Sequence, residues 1–144
     1  MATMQPDVGK QLKELYAAVN AGDIEKFLSF HTDDVVNENI PTGVVRRGKE
    51  ELRTFLENSL AVISDFKMEL VSFIASGNRV CEEYSESGTL AAEYMGIPAT
   101  GKSFSVRGVL IRELSGGKTC RVTTYFDPAT LMRQLGVLPT PTQK

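Results

Sequence analysis

The 144-residue chain predicts an α+β fold, with helices packed on one face of a curved antiparallel sheet, and three observations carry that expectation. Up to Ile63 the apolar residues recur at helical spacing. From Asp65 the period changes to alternation, in long runs separated by Gly-containing turns. Helices come first and strands afterwards, which is the order of segregated layers rather than of a wound parallel sheet.

Val8, Leu12, Leu15, Tyr16 and Val19 define a first amphipathic helix, with Asp7 placed to cap its start and Gly22 to end it. Asp23 caps a shorter helix carrying Ile24, Phe27, Leu28 and Phe30, and His31 to Asp34 is expected to turn the chain out of it. Val35 to Asn39 reads as a short strand, and Pro41 and Gly43 break regular structure after it. Gly48 to Leu52 opens a third helix with Leu52, Phe55, Leu56, Leu60 and Ile63 inward. Phe66, Met68 and Leu70 then alternate with Lys67 and Glu69, leading into an apolar patch from Val71 to Ala75. Ser76-Gly-Asn78 is a hairpin signal, Arg79 to Leu90 a returning strand, and Ala91 to Gly101, with Gly96 and Pro98, a loop or lid. Lys102 to Leu114 and Thr119 to Phe126 form a last hairpin, and Pro128 onward is a short helix with Leu131, Met132 and Leu135 on one face.

The length suits a single domain spanning 1–144, with its core at about 8–139. Net charge is −2, so no basic surface points to nucleic acid or to an anionic membrane. No apolar run reaches the length of a membrane span, and Met1 to Asp7 lacks the basic start and apolar core of a signal peptide; a cytoplasmic protein is expected. Cys81 and Cys120 fall in strands and read as buried thiols. With one histidine and no cysteine cluster, neither a metal site nor a cofactor is expected.

The stretch most suggestive of chemistry is Thr123 to Gly136, a strand end joined to a helix through Asp127. Asp before Pro is what an N-cap looks like. A carboxylate flanked by Tyr125 and Phe126 at such a junction also suits the mouth of an apolar cavity, and a cap and a base are compatible roles.

Ala17-Ala-Val-Asn-Ala-Gly-Asp23, Asp33-Asp-Val-Val36, Arg47-Gly-Lys-Glu50, Gly96-Ile-Pro-Ala-Thr-Gly101 and Tyr125-Phe-Asp with Leu135-Gly136 after seven residues occur in order along the chain. Together they resemble the SnoaL-like polyketide cyclases of the nuclear-transport-factor-like cone, a cystatin-like arrangement shared with ketosteroid isomerase and limonene epoxide hydrolase. The resemblance implies a curved sheet wrapped around three N-terminal helices, and a homodimer paired through the outer face of the sheet. It also implies that Asp127 is the acid/base aspartate of a cyclase or the water-activating aspartate of an epoxide hydrolase. Asn39 then matches the hydrolase's water-holding asparagine, and Glu86 its proton-donating carboxyl. Tyr84 stands where the hydrolase has an arginine, so that triad is incomplete. Asn39 also takes the place of the isomerase's proton-shuttling aspartate, which an amide cannot replace.

The leading expectation is a cofactor-independent acid/base enzyme, a cyclase, isomerase or lyase acting on a small apolar polyketide- or terpenoid-like molecule. Asp127 is its base, Glu86 its acid, Tyr84 a donor to an enolate oxygen and Asn39 an orienting amide. Epoxide hydrolysis and a non-catalytic binding or dimerisation module are the alternatives. Arg107 and Val109 share a strand face that would enter the cavity, although Arg107 pairing with a glutamate on the next strand is the simpler reading. Tyr125 would flank the base and Met95 line an entrance. Glu82, Glu83 and Glu86 also read as an exposed acidic face, and His31 as a solvent-exposed turn residue.

Overall fold

The computed structural model describes residues 7–94 and 96–139. Helix α1 (Val8–Ala21) starts where the Asp7 carboxylate accepts from Lys10 N at 3.2 Å and stops at Gly22, whose φ of 69° is the left-handed conformation a helix end favours. Helix α2 (Ile24–Ser29) is capped the same way by Asp23. The chain then enters β1 (His31–Asn39), which takes in the segment expected to be a turn. A short β2 (Val44–Arg47) pairs back on β1 and leads into α3 (Gly48–Val62). Strands β3 (Ile63–Ser76), β4 (Arg79–Leu90), β5 (Ser103–Ser115) and β6 (Lys118–Phe126) follow, and α4 (Pro128–Gln134) closes the fold.

Among the described residues the sheet has six strands in the order β2-β1-β6-β5-β4-β3. It is mixed rather than wholly antiparallel, because β1 lies parallel to β6. The alternation of faces is the same in either orientation, so the sequence pattern does not carry this distinction. Register shifts in β3 between Ser64 and Lys67 and between Leu70 and Ser72 bend the sheet, and Asp65 sits in the first of them with φ 56°.

Helices α1 and α3 cover the concave face. The Asn20 side-chain amide both donates to Met68 O and accepts from Met68 N, each at 2.8 Å, and so satisfies backbone groups of the edge strand β3. Gln11 ties the start of α1 to the β5–β6 turn through Gly117 O at 2.7 Å. These links hold α1 across the mouth of the curve. The interior falls into packed groups around Leu15, Leu56 and Leu110, around Ile63, Leu90 and Phe104, and around Leu28, Val35 and Leu52. Among the described residues no helix is long and apolar enough to cross a membrane. Both cysteines are free, and Cys81 is exposed on the convex face of β4, contrary to the expectation of two buried thiols.

Candidate active site

Alternation along β4 turns Val80, Glu82, Tyr84 and Glu86 toward the helices, and along β5 it turns Val106, Gly108, Leu110 and Arg112 the same way. Between this face and α1 and α3 lies a pocket of about 160 Å³. Its walls are mainly apolar, with Phe66, Met68, Leu56 and Phe104 among them. Two acidic side chains on the inward face of β4 meet opposite fates, and only Glu86 lines the pocket.

Glu82 is wholly buried and fully partnered. Arg112 donates to it from Nε at 2.8 Å and from Nη2 at 3.1 Å, and the Tyr16 hydroxyl donates at 3.0 Å. Arg112 Nη1 donates on to Thr119 Oγ1 at 3.0 Å. A two-pronged guanidinium–carboxylate pair, braced by the Tyr16 hydroxyl on the carboxylate and by Thr119 on the guanidinium, is how a protein keeps two charges inside. Glu82 therefore does not belong to an exposed acidic face. Beside the pair, His31 is only 2 % exposed, its ring tilted 57° to that of Phe27 with 4.7 Å between the centroids, and its Nδ1 lies 2.9 Å from Phe27 O. Burial, reinforced by the Arg112 charge, pushes the imidazole down to about 3, so it is neutral.

Glu86 has no hydrogen-bond or ion-pair partner among the described residues and lines the pocket. Burial raises its carboxyl to about 7, because an unpaired charge is disfavoured among apolar walls. Tyr84, also on β4, is held above its ordinary range by burial and by the neighbouring Glu86, so it stays a phenol and acts as a donor. Tyr94 is raised by burial as well. Its hydroxyl is 3.4 Å from Ser59 Oγ, whose own proton goes to Phe55 O at 2.9 Å. Across the pocket Arg46 lies over the Phe55 ring at 3.8 Å and reaches Asn37 Oδ1 at 3.5 Å. Arg46, Phe55 and Tyr94 also line a second, shallower cleft on the surface, so they form the wall between interior and solvent.

Of the residues singled out in the sequence, Glu86, Tyr84 and Asn39 come together around the pocket. The Asn39 Oδ1 accepts from Thr42 N at 3.2 Å, which commits its carbonyl to the β1–β2 turn and leaves its NH2 for other partners. Asp127 does not join them. Its carboxylate is exposed and accepts from the Thr130 hydroxyl at 2.7 Å, above all, and from Ala129 N at 3.0 Å, which hold it below the usual carboxylate range. The capping geometry of an Asp-Pro helix start turns the side chain along α4 and away from the concave face.

Arg107, Val109 and Tyr125 lie on the convex face, since the inward register of β5 falls on the even-numbered positions and Tyr125 pairs with Val109. Met95 lies outside the described residues. Sequence reasoning missed Arg46, Tyr94, His31 and Arg112. Arg46 supplies at the pocket the positive charge looked for at Arg107, but it stands on a four-residue strand beside a Pro/Gly loop, too short to show alternation. For Arg112 and Glu82 a signal was present, because both keep the parity of apolar inward residues in their strands.

No curated protein matches the sequence. Solved structures do. TsrD from Streptomyces laurentii is 25% identical with a TM-score of 0.84, the match covering 95% of this chain and 100% of that one. IdmH, a proposed polyketide cyclase from Streptomyces antibioticus, is 25% identical with a TM-score of 0.77, over 90% and 98% of the two chains. A protein of ketosteroid isomerase-like fold from Catenulispora acidiphila shares 15% identity and a TM-score of 0.78 over 96% and 100%, a likeness of fold alone. The family model for SnoaL-like polyketide cyclase matches residues 10–135. With that match spanning nearly the whole domain, and with the helix-lined curved sheet of the nuclear-transport-factor-like cone, the chain belongs to the SnoaL-like polyketide cyclase family.

Proposed function

We propose that the protein is a cofactor-independent acid/base enzyme acting on a small apolar carbonyl compound, with Glu86 rather than Asp127 as the proton-transferring group. The observation that carries this reading is one unpartnered carboxyl in an apolar pocket, with its proton affinity raised to about 7. Such a group is half ionised near neutrality, so the same oxygen pair can take a proton and return it. Glu86 removes a proton from the carbon next to a substrate carbonyl, and the electron pair moves onto the carbonyl oxygen. Tyr84 donates to that enolate oxygen, as does Tyr94 when it leaves Ser59. In an isomerisation the proton returns to another carbon. In a cyclisation the enolate carbon forms a bond to a second carbonyl within the molecule, and the new alkoxide takes the proton back from Glu86. Arg46 and Asn39 orient the polar end of the substrate at the wall of the pocket.

The test is proton exchange. Small cyclic and aryl ketones are incubated with the protein in D2O, and loss of the α-proton signal is followed by NMR. Exchange above the buffer rate, reduced about a hundredfold or more in Glu86→Gln, supports the reading; equal exchange in both proteins overturns it. A non-catalytic pocket is the second reading, favoured by the confinement of Asp127 to its capping role. It predicts binding of the same ketones without exchange. Water activation by Asp127 in the manner of an epoxide hydrolase is not proposed, because its carboxylate stands outside the pocket.

We further propose that two copies pair through the convex face of the sheet. Ile74 is 75 % exposed there, and Val109 and Tyr125 add apolar surface on the same face, on β5 and β6. Light scattering of the wild type is expected to give a homodimer, and Ile74→Glu with Val109→Glu a monomer. A wild-type monomer overturns this.

A further inference from the structure

The proton shuttle leaves one group in the pocket without a role. His31 lines it, is the single histidine of the chain, and sits in the deeply buried company of Glu82, Arg112 and Tyr16. The carbonyl of Phe27 can only accept, so the Nδ1 that lies 2.9 Å from it must carry the proton. In a neutral ring that leaves Nε2 with a lone pair, and no described residue donates to it. The neighbours do not change this. Arg112 is committed to Glu82 and Thr119 through three of its five N–H groups, and its charge disfavours a second proton on the ring.

The two polar regions of the pocket are far apart. Glu82 and Glu86 are separated along β4 by about 13 Å at roughly 3.3 Å per residue, and His31 lies with the Glu82–Arg112 pair. Between them on the inward face of β4 stands Tyr84, and the other walls are mainly apolar.

We propose that His31 Nε2 is a hydrogen-bond-accepting subsite that takes a hydroxyl group, phenolic or alcoholic, on the end of the ligand remote from Glu86. A hydroxyl suits this position better than a carbonyl or an amine. It gives its proton to Nε2, whereas a carbonyl has no proton to give and an ammonium ion would be repelled by Arg112. The subsite rests on the reading of this pocket as the ligand site, and it narrows the substrate class to apolar carbonyl compounds bearing a distal hydroxyl.

The experiment compares p-cresol with toluene by titration calorimetry at neutral pH, where both probes and the imidazole are uncharged. Wild type is expected to bind p-cresol roughly tenfold more tightly, the value of one net hydrogen bond. His31→Phe is expected to bind toluene as before and to lose the preference. Glu86→Gln is expected to keep the preference, which separates this subsite from the proton-transfer chemistry. No preference in wild type, a preference that survives in His31→Phe, or one that vanishes in Glu86→Gln overturns the proposal. Should His31→Phe fail to fold, ¹⁵N NMR of the lone histidine in wild type decides. An Nδ1–H tautomer whose Nε2 resonance moves with p-cresol and not with toluene supports the subsite, and an Nε2–H tautomer or an unmoved resonance overturns it. Failure of wild type to bind toluene removes the pocket reading as a whole, while a cresol preference without ketone exchange removes only the catalytic one.

Discussion

Tyr84 stands directly opposite Gly108 in the β4–β5 pairing, and a Cβ at position 108 would lie 2.5 Å from the Tyr84 hydroxyl. The phenol occupies the space that any other residue on β5 would fill. The missing side chain is thus what lets an inward tyrosine lie across the neighbouring strand beside Glu86.

Gly108→Ala must therefore displace Tyr84 or the backbone of β6, because Tyr125 O is also only 2.9 Å from the added carbon. Overpacking of this kind costs about 1–3 kcal/mol. Exchange activity is expected to fall by about the same factor in Gly108→Ala as in Tyr84→Phe, and no further in the double variant, since both remove the same donor. A double variant much slower than either single one would show that the two positions act separately.

Asp127 offers a sharp contrast with Glu86. Asn still caps a helix and Ala does not. Asp127→Asn is expected to leave exchange activity and melting temperature near wild type, and Asp127→Ala to lower the melting temperature modestly with activity retained below the transition. Loss of turnover in a folded Asp127→Asn protein would return the base to this position.

The pH dependence of stability follows from two shifts of opposite effect. Glu86 holds its proton up to about 7 in the folded protein, above the 4.5 of an unperturbed glutamate, so its contribution is fully present below about pH 4.5 and is lost as pH rises through about 7. His31 stays neutral down to about 3, below the ordinary 6.5, so its contribution is present above pH 6.5 and is lost as pH falls toward 3. Between these limits the folded state carries the proton on Glu86 and the unfolded state on His31, and the two slopes nearly cancel. Glu86→Gln removes one of them. Its stability relative to wild type is expected to grow from pH 5 to pH 7, reaching about 3 kcal/mol above pH 7. Urea unfolding at several pH values reads this directly, and a pH-independent difference would mean that Glu86 ionises as it does in water.

The Glu82–Arg112 pair predicts an asymmetric mutational response. Arg112→Leu leaves a buried carboxylate with only the Tyr16 hydroxyl and is expected to cost about 3–5 kcal/mol. Replacing both residues with leucine is expected to recover part of that loss, the remainder reflecting Tyr16 and Thr119 left without partners. Thermal denaturation of the two variants and the wild type measures the difference.

Local order was legible from the chain alone wherever the signal is short-ranged. Asp7, Gly22, Asp23 and Asp127 announce helix ends because capping is settled within a few residues, and the alternation of β4 and β5 states which residues share a face. The family resemblance supplied the cone and the candidate roles of Glu86, Tyr84 and Asn39. Which face of β5 turns inward was not legible, since Arg107, Val109 and Ile111 form as plausible an apolar set as Val106, Leu110 and the surrounding residues. Tertiary packing decided it, by setting Gly108 against Tyr84 and Arg112 against Glu82. The same holds for the two acids of β4. In sequence Glu82 and Glu86 are indistinguishable charges of one parity, whereas in the fold one meets a guanidinium and a phenol in hydrogen-bonding contact, and the other faces a mainly apolar pocket with no hydrogen-bond partner among the described residues. The proton affinity of a carboxyl depends on what crosses the pocket to meet it, and those partners come from β5, α1 and β2, which are distant along the chain and are brought together only by closure of the sheet over the helices.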